Sequence, residues 1–158
     1  MYLYRLYETF LNLPVGLQSV LLALLFMYLL HLIDGFVFKR RLAASYSLKP
    51  RRGNNLLSPF LAHTLHGSWK HLFGNSLPFV ILGSIIALPH VPTFWLVTVV
   101  IMIVGSLGTW FIGSSGVHLG ASGLITGYFG YIVSRGLINE NVADTMLGLV
   151  IGLLYFGI

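Results

Sequence analysis

The sequence predicts an all-α fold, a polytopic bundle of membrane-spanning helices, and three observations lead there. The 158 residues are 56% hydrophobic and 8% charged, against roughly 45–50% and 25% in an average soluble domain. Apolar runs recur at about the 20 residues that a helix needs to cross roughly 30 Å of hydrocarbon. Six of the nine Lys and Arg residues fall between Lys39 and Arg52, in a short segment between two such runs. A net charge of +5 spread over a surface would point to nucleic acid. Gathered in one membrane-flanking loop it points instead to the lipid bilayer, whose anionic headgroups attract Lys and Arg. Cysteine is absent, which excludes disulfides, thiolate metal sites and Cys nucleophiles.

The first apolar run covers residues 15–38, with His31 and Asp34 near its far end, where they are expected to pair at the membrane surface. The second covers 69–88 and contains Pro78, a residue that removes a helix hydrogen bond and is expected to kink the span. The third, 94–112, is rich in Val and Ile, and its length decides for a helix over a strand. Residues 113–123 read GSSGVHLGASG, a loop that at membrane depth must be buried in protein or face water. A short helix over 124–134 is expected to start part-way through the membrane. After a polar turn at 139–144 a last run fills 145–158, giving about five spans. A span ending within an apolar run places a free carboxylate near hydrocarbon depth. The expectation is therefore one membrane domain over 1–158, incomplete at its carboxy-terminal end.

Polar residues inside spans are costly, so each is a candidate site. They gather at His63, His66, His71 and Asn75, leading into the second span, and at Gly120-Ala121-Ser122-Gly123, opening the short helix. His71 and Asn75 stand four apart, on one helical face, where two donors converge as an oxyanion requires. Ser122 lies at a helix start, where free N–H groups and the helix dipole favour developing negative charge, and Gly120 and Gly123 leave room for a substrate and a neighbouring helix. The bland alternative makes Ser122 a helix N-cap or a small packing residue. The glycines at 123, 127, 130, 148 and 152 read as close helix contacts. His63, His66 and His71 could serve as a metal or haem site, but on an ideal helix they span about 140°, and no carboxylate lies near in sequence. No cofactor motif is present.

His66, His71 and Asn75 in H-x4-H-x3-N spacing, followed by Gly-Ala-Ser-Gly at a helix start, resemble the rhomboid family of intramembrane serine proteases over residues 58–135. The resemblance implies a six-helix bundle that cleaves transmembrane segments of other membrane proteins, needs no cofactor and sits in the bacterial cell membrane as a multi-pass protein. It also implies Ser122 as nucleophile, His71 and Asn75 with the Ser122 N–H as oxyanion donors, and His66 as an auxiliary histidine. The family's general base is a histidine on its last span. This sequence has no histidine after His118, has no Trp-Arg pair in its first loop, and carries Thr126 where the family often has an aromatic residue. Two readings follow: an enzyme whose base lies beyond Ile158, or an inactive rhomboid-like scaffold that binds transmembrane helices. His118, four residues before the serine, is a poor substitute base, because so short a loop rarely folds the ring back onto the hydroxyl.

Overall fold

The computed structural model describes residues 2–140 and 142–156, and the reading placed above on Ile158 lies outside it. Among the described residues the secondary structure is helical: α1 (Tyr2–Leu11), α2 (Val15–Phe36), α3 (Arg41–Tyr46), α4 (Ser58–Leu61), α5 (Trp69–Ala87), α6 (Val91–Ile112), α7 (Ser122–Ile138) and α8 (Val142–Phe156). In hydrocarbon every backbone N–H and C=O must be satisfied within the segment, so the Val- and Ile-rich runs become helices despite their preference for strands in water. Helices α2, α5 and α6 are long and apolar enough to cross a membrane.

Helix α5 is the central post, packing against α2, α6 and α7, while α7 leans on α6 and α8. The core they share is made of Val20 and Met27 from α2, Leu72, Phe79, Leu82 and Ile86 from α5, Phe94 from α6, and Leu124, Ile125, Tyr128 and Ile132 from α7. Large apolar side chains such as Leu22, Phe26, Val100 and Val104 point outward, as a surface solvated by lipid tails requires. The few polar groups inside find one another: Thr98 and Tyr128 hydroxyls meet at 2.6 Å, and Tyr28 and Ser76 at 2.9 Å.

Three expectations need correction. Helix α7 has 17 residues, not the 11 of 124–134, because Gly136 is buried within the helix and does not end it, and Arg135 lies over the Tyr131 ring at 5.8 Å. Among the described residues no hydrogen bond joins His31 to Asp34. The Asp34 carboxylate instead accepts the Leu42 and Ala43 N–H groups at 2.9 and 3.3 Å, satisfying the exposed donors at the start of α3, and His31 meets Arg40. Gly130 makes no close helix contact, with nothing within 4 Å of where a Cβ would stand. By contrast Gly127 faces Ile101, Gly148 faces Val133 and Gly152 faces Phe129. Helix α5 runs through Pro78 without ending.

The first loop is tied to the end of the bundle where α7 begins. Leu48 and His118 exchange both backbone hydrogen bonds at 2.9 Å, and Arg51 donates to the Phe111 and Gly113 carbonyls at 3.2 and 3.0 Å. A cation there stabilises the carbonyls that the last turn of α6 leaves unpaired.

Candidate active site

Residues 62–66, between α4 and α5, are all buried, and His66 is the hub of the site. Its Nδ1–H donates to the Thr64 carbonyl at 3.3 Å, which leaves Nε2 with its lone pair. That lone pair accepts from the Ala121 N–H and from Asn75 Nδ2, each at 3.2 Å. A proton on Nε2 would face two donors, so the ring is held neutral. Burial, and after it the His71 ring, push its pKa down to about 4, since both disfavour the charged form.

Asn75 is buried at 3% exposure, one turn after His71 on α5. Its amide is oriented from both sides: Nδ2 donates to His66 while Oδ1 accepts the Tyr155 hydroxyl at 2.7 Å. An amide carries two N–H groups, so a second remains for a ligand. His71 opens α5 just after Ser68, whose hydroxyl oxygen accepts the His71 backbone N–H at 3.2 Å as an N-cap. The His71 ring stands edge-on to His66 with centroids 5.2 Å apart.

Gly120 lies against this cluster. At φ +108° it occupies backbone space that side chains avoid, and a Cβ there would come within 2.5 Å of His71 Cε1 and 3.4 Å of Asn75 Nδ2. Its N–H donates to the Ala62 carbonyl at 2.8 Å. Glycine is thus required at 120 on two counts, conformation and close approach. Ser122 follows as the first residue of α7, with Ala121 in the N-cap position, so Ser122 is not the cap. The Ile125 N–H bonds the Ala121 carbonyl at 2.9 Å, and the N–H groups before it, at 122–124, have no partner inside the helix.

His66, His71, Asn75 and Gly120 are therefore in direct contact, and Ser122 stands two residues beyond Gly120. Ser122 lines a cavity of about 310 Å³ together with His63, His118, Gly120, Gly123 and Thr126. His71 and Asn75 open onto a second cavity of about 460 Å³ with Ser68, Lys70 and Tyr155. Gly120 joins the two places, since it lines the serine's cavity and packs against His71 and Asn75.

Two contributors were not legible in the sequence. One is Tyr155 on α8. The other is Ser106 on α6, the partner of His63. Ser106 donates to the Pro59 carbonyl at 3.2 Å, so its oxygen accepts from His63 Nε2–H at 3.1 Å. His63 then presents Nδ1 towards Gly123, where a Cβ would stand 3.1 Å away, and burial lowers the pKa of the ring. His118 Nε2 donates to the Ser114 carbonyl at 2.9 Å. Among the described residues no three His, Cys, Asp or Glu side chains gather as a metal site: His63 turns to Ser106, and the His66 lone pair is already occupied.

The Rhomboid domain model matches residues 54–158. Curated relatives include uncharacterized proteins of Mycobacterium bovis and Mycobacterium tuberculosis, each 35% identical over 150 residues that cover 91% of this chain and 62% of the relative. An uncharacterized protein of Mycobacterium leprae is 31% identical over 150 residues, covering 91% of this chain and 59% of the relative. The chain therefore spans about three fifths of the length of these relatives, and no solved structure matches it. The family match takes in both polar clusters and α5 to α8 between and beyond them, and on it the chain belongs to the rhomboid family, as a multi-pass membrane protein.

Proposed function

We propose that the chain forms the catalytic core of an intramembrane serine endopeptidase, residing in a bacterial cell membrane, that cleaves transmembrane segments of other membrane proteins. The observation that supports this most is the seating of Gly120 against His71 and Asn75, which brings the backbone carrying Ser122 to the edge of a pair of side-chain donors. In this reading the Ser122 hydroxyl attacks the carbonyl carbon of the scissile peptide bond. Its proton passes to a histidine base on a later span, as family membership implies. The tetrahedral oxyanion accepts from the Ser122 N–H, the second Asn75 amide N–H and a His71 ring N–H, donors aimed where charge develops. Collapse expels the amine with the proton from the base, and water then hydrolyses the serine ester. His66 does not meet the substrate. It orients the Asn75 amide and the Ala121 peptide.

Substrates are expected to be membrane helices with small or helix-breaking residues, because an intact helix shields its peptide bonds. The test is labelling of the full-length protein in membranes with a fluorophosphonate. Rapid labelling that Ser122→Ala abolishes supports the enzyme. A full-length protein that labels no faster than after denaturation is the non-catalytic scaffold. The 158-residue chain alone is expected not to label, since a serine without a base is a poor nucleophile at neutral pH.

A further inference from the structure

We propose that Arg40 is a positioning residue for this site, a fork that anchors the His66 peptide to α2 and so sets the placement of Ala121 and Ser122. The inference rests on the reading of Ser122 as nucleophile. Arg40 sits in the first loop at φ +67°, held by a hydrogen bond from its N–H to the Asp34 carbonyl at 2.8 Å. That left-handed turn sends the side chain back over α2, where its Cζ lies 3.6 Å from the position of a Cβ on Gly35. The guanidinium nitrogens reach His31 Nδ1 and Nε2, each at 3.1 Å, and one of them also reaches the His66 carbonyl at 3.5 Å. A neutral imidazole offers one lone pair, so one of the two His31 contacts is the hydrogen bond. His31 itself is 1% exposed, with Trp69 edge-on at 4.5 Å, and the His66 carbonyl faces its ring as well.

The consequence is a continuous set of ties. Arg40 holds the His66 carbonyl; His66 Nδ1–H holds the Thr64 carbonyl; His66 Nε2 holds the Asn75 amide and the Ala121 N–H. Arg40, with His31 beside it, joins that set to the first transmembrane helix and the first loop. A planar fork with several donors can serve His31 and a carbonyl together, which a lysine ammonium on a flexible stem does less well. Asp34 fixes the other side of the same turn through Leu42 and Ala43, so the loop presents Arg40 from a rigid base.

The test combines a geometric and a chemical readout on the full-length protein in micelles. In histidine-selective ¹⁵N NMR, Arg40→Ala is expected to shift the His66 signals away from those of a locked Nδ1–H tautomer, with Arg40→Lys intermediate. Fluorophosphonate labelling of Ser122 is expected to slow at least tenfold in Arg40→Ala, to slow less in Arg40→Lys, and to recover in part when methylguanidinium is added to Arg40→Ala. If Arg40→Ala does not fold, Arg40→Lys and Arg40→Gln are read in its place. Unmoved His66 signals, or labelling as fast as in the unsubstituted protein, overturn the proposal. If the His66 signals move but the unsubstituted protein never labels, Arg40 is confirmed as the anchor of His66, and it is the protease reading that fails.

Discussion

Gly120 is the residue where the local rules are strictest, because its φ of +108° and its contact with the His71 ring both exclude a side chain. Gly120→Ala is therefore expected to displace the His71 ring and, on the protease reading proposed above, to cut substrate cleavage by the full-length protein at least as much as removing a donor does. Asn75→Ala and His71→Ala are each expected to lower kcat by about 10² to 10³, the usual cost of one oxyanion donor. The double variant should lose less than the product of the two, since both donors act on one charge. Should both single variants keep full activity while Ser122→Ala is dead, the serine stands and the oxyanion assignment falls. Tyr155→Phe removes a neutral hydrogen bond worth about 1 kcal/mol, so a loss of roughly fivefold is expected, and an unchanged rate would show that His66 alone orients the Asn75 amide. That His71 and Asn75 line one cavity was legible, because residues four apart share a helical face. The partners Tyr155 for Asn75, Ser106 for His63 and His66 for Arg40 stand 80, 43 and 26 residues away, and no local spacing encodes such distances.

Among the helices, the spans of 19 to 22 residues were legible because unbroken hydrophobicity at that length has one solution in lipid. The short elements were harder. Helix α7 starts within a glycine- and serine-rich stretch and carries Gly136 near its end, so composition alone reads it six residues too short. The glycines that look alike in sequence divide by what faces them. At Gly16 a Cβ would run into the Ala87 backbone, where α2 meets α5, and that carbonyl cannot rotate away. Gly16→Ala is expected to destabilise the bundle by about 1–3 kcal/mol, the cost of overpacking. Gly130 in α7 has open space around it. Gly130→Ala should stabilise by about 0.5–1 kcal/mol through the lower backbone entropy of the unfolded chain. Thermal unfolding in detergent, followed by circular dichroism at 222 nm, reads both, and midpoints moving in the same direction would contradict the helix packing.

For the whole molecule, the bundle depends on keeping His63 and His66 uncharged in the buried segment ahead of α5. Both folded-state pKa values lie below the ordinary histidine value of 6.5, through burial first, and that of His66 falls to about 4. The unfolded chain therefore binds more protons than the folded one at mildly acid pH, and stability falls as pH falls. The contribution is intact above about pH 6.5 and shrinks below it, until near pH 4 the folded His66 takes up its own proton. Across that range His66 accounts for a loss on the order of 3 kcal/mol at 1.36 kcal/mol per unit. The geometry gives the same sign, since a protonated Nε2 must release both Asn75 and the Ala121 N–H next to Ser122. The unfolding midpoint in neutral detergent is thus expected to be level between pH 8 and 7 and to drop steadily from 6.5 to 5, above the range where carboxylates titrate. His66→Gln can still accept a hydrogen bond but does not titrate, so it is expected to start from a lower midpoint and to fall less steeply over the same window. A midpoint that stays level down to pH 5 in the unsubstituted protein would mean that His66 protonates freely while folded, and neither its burial nor its role as shared acceptor would hold.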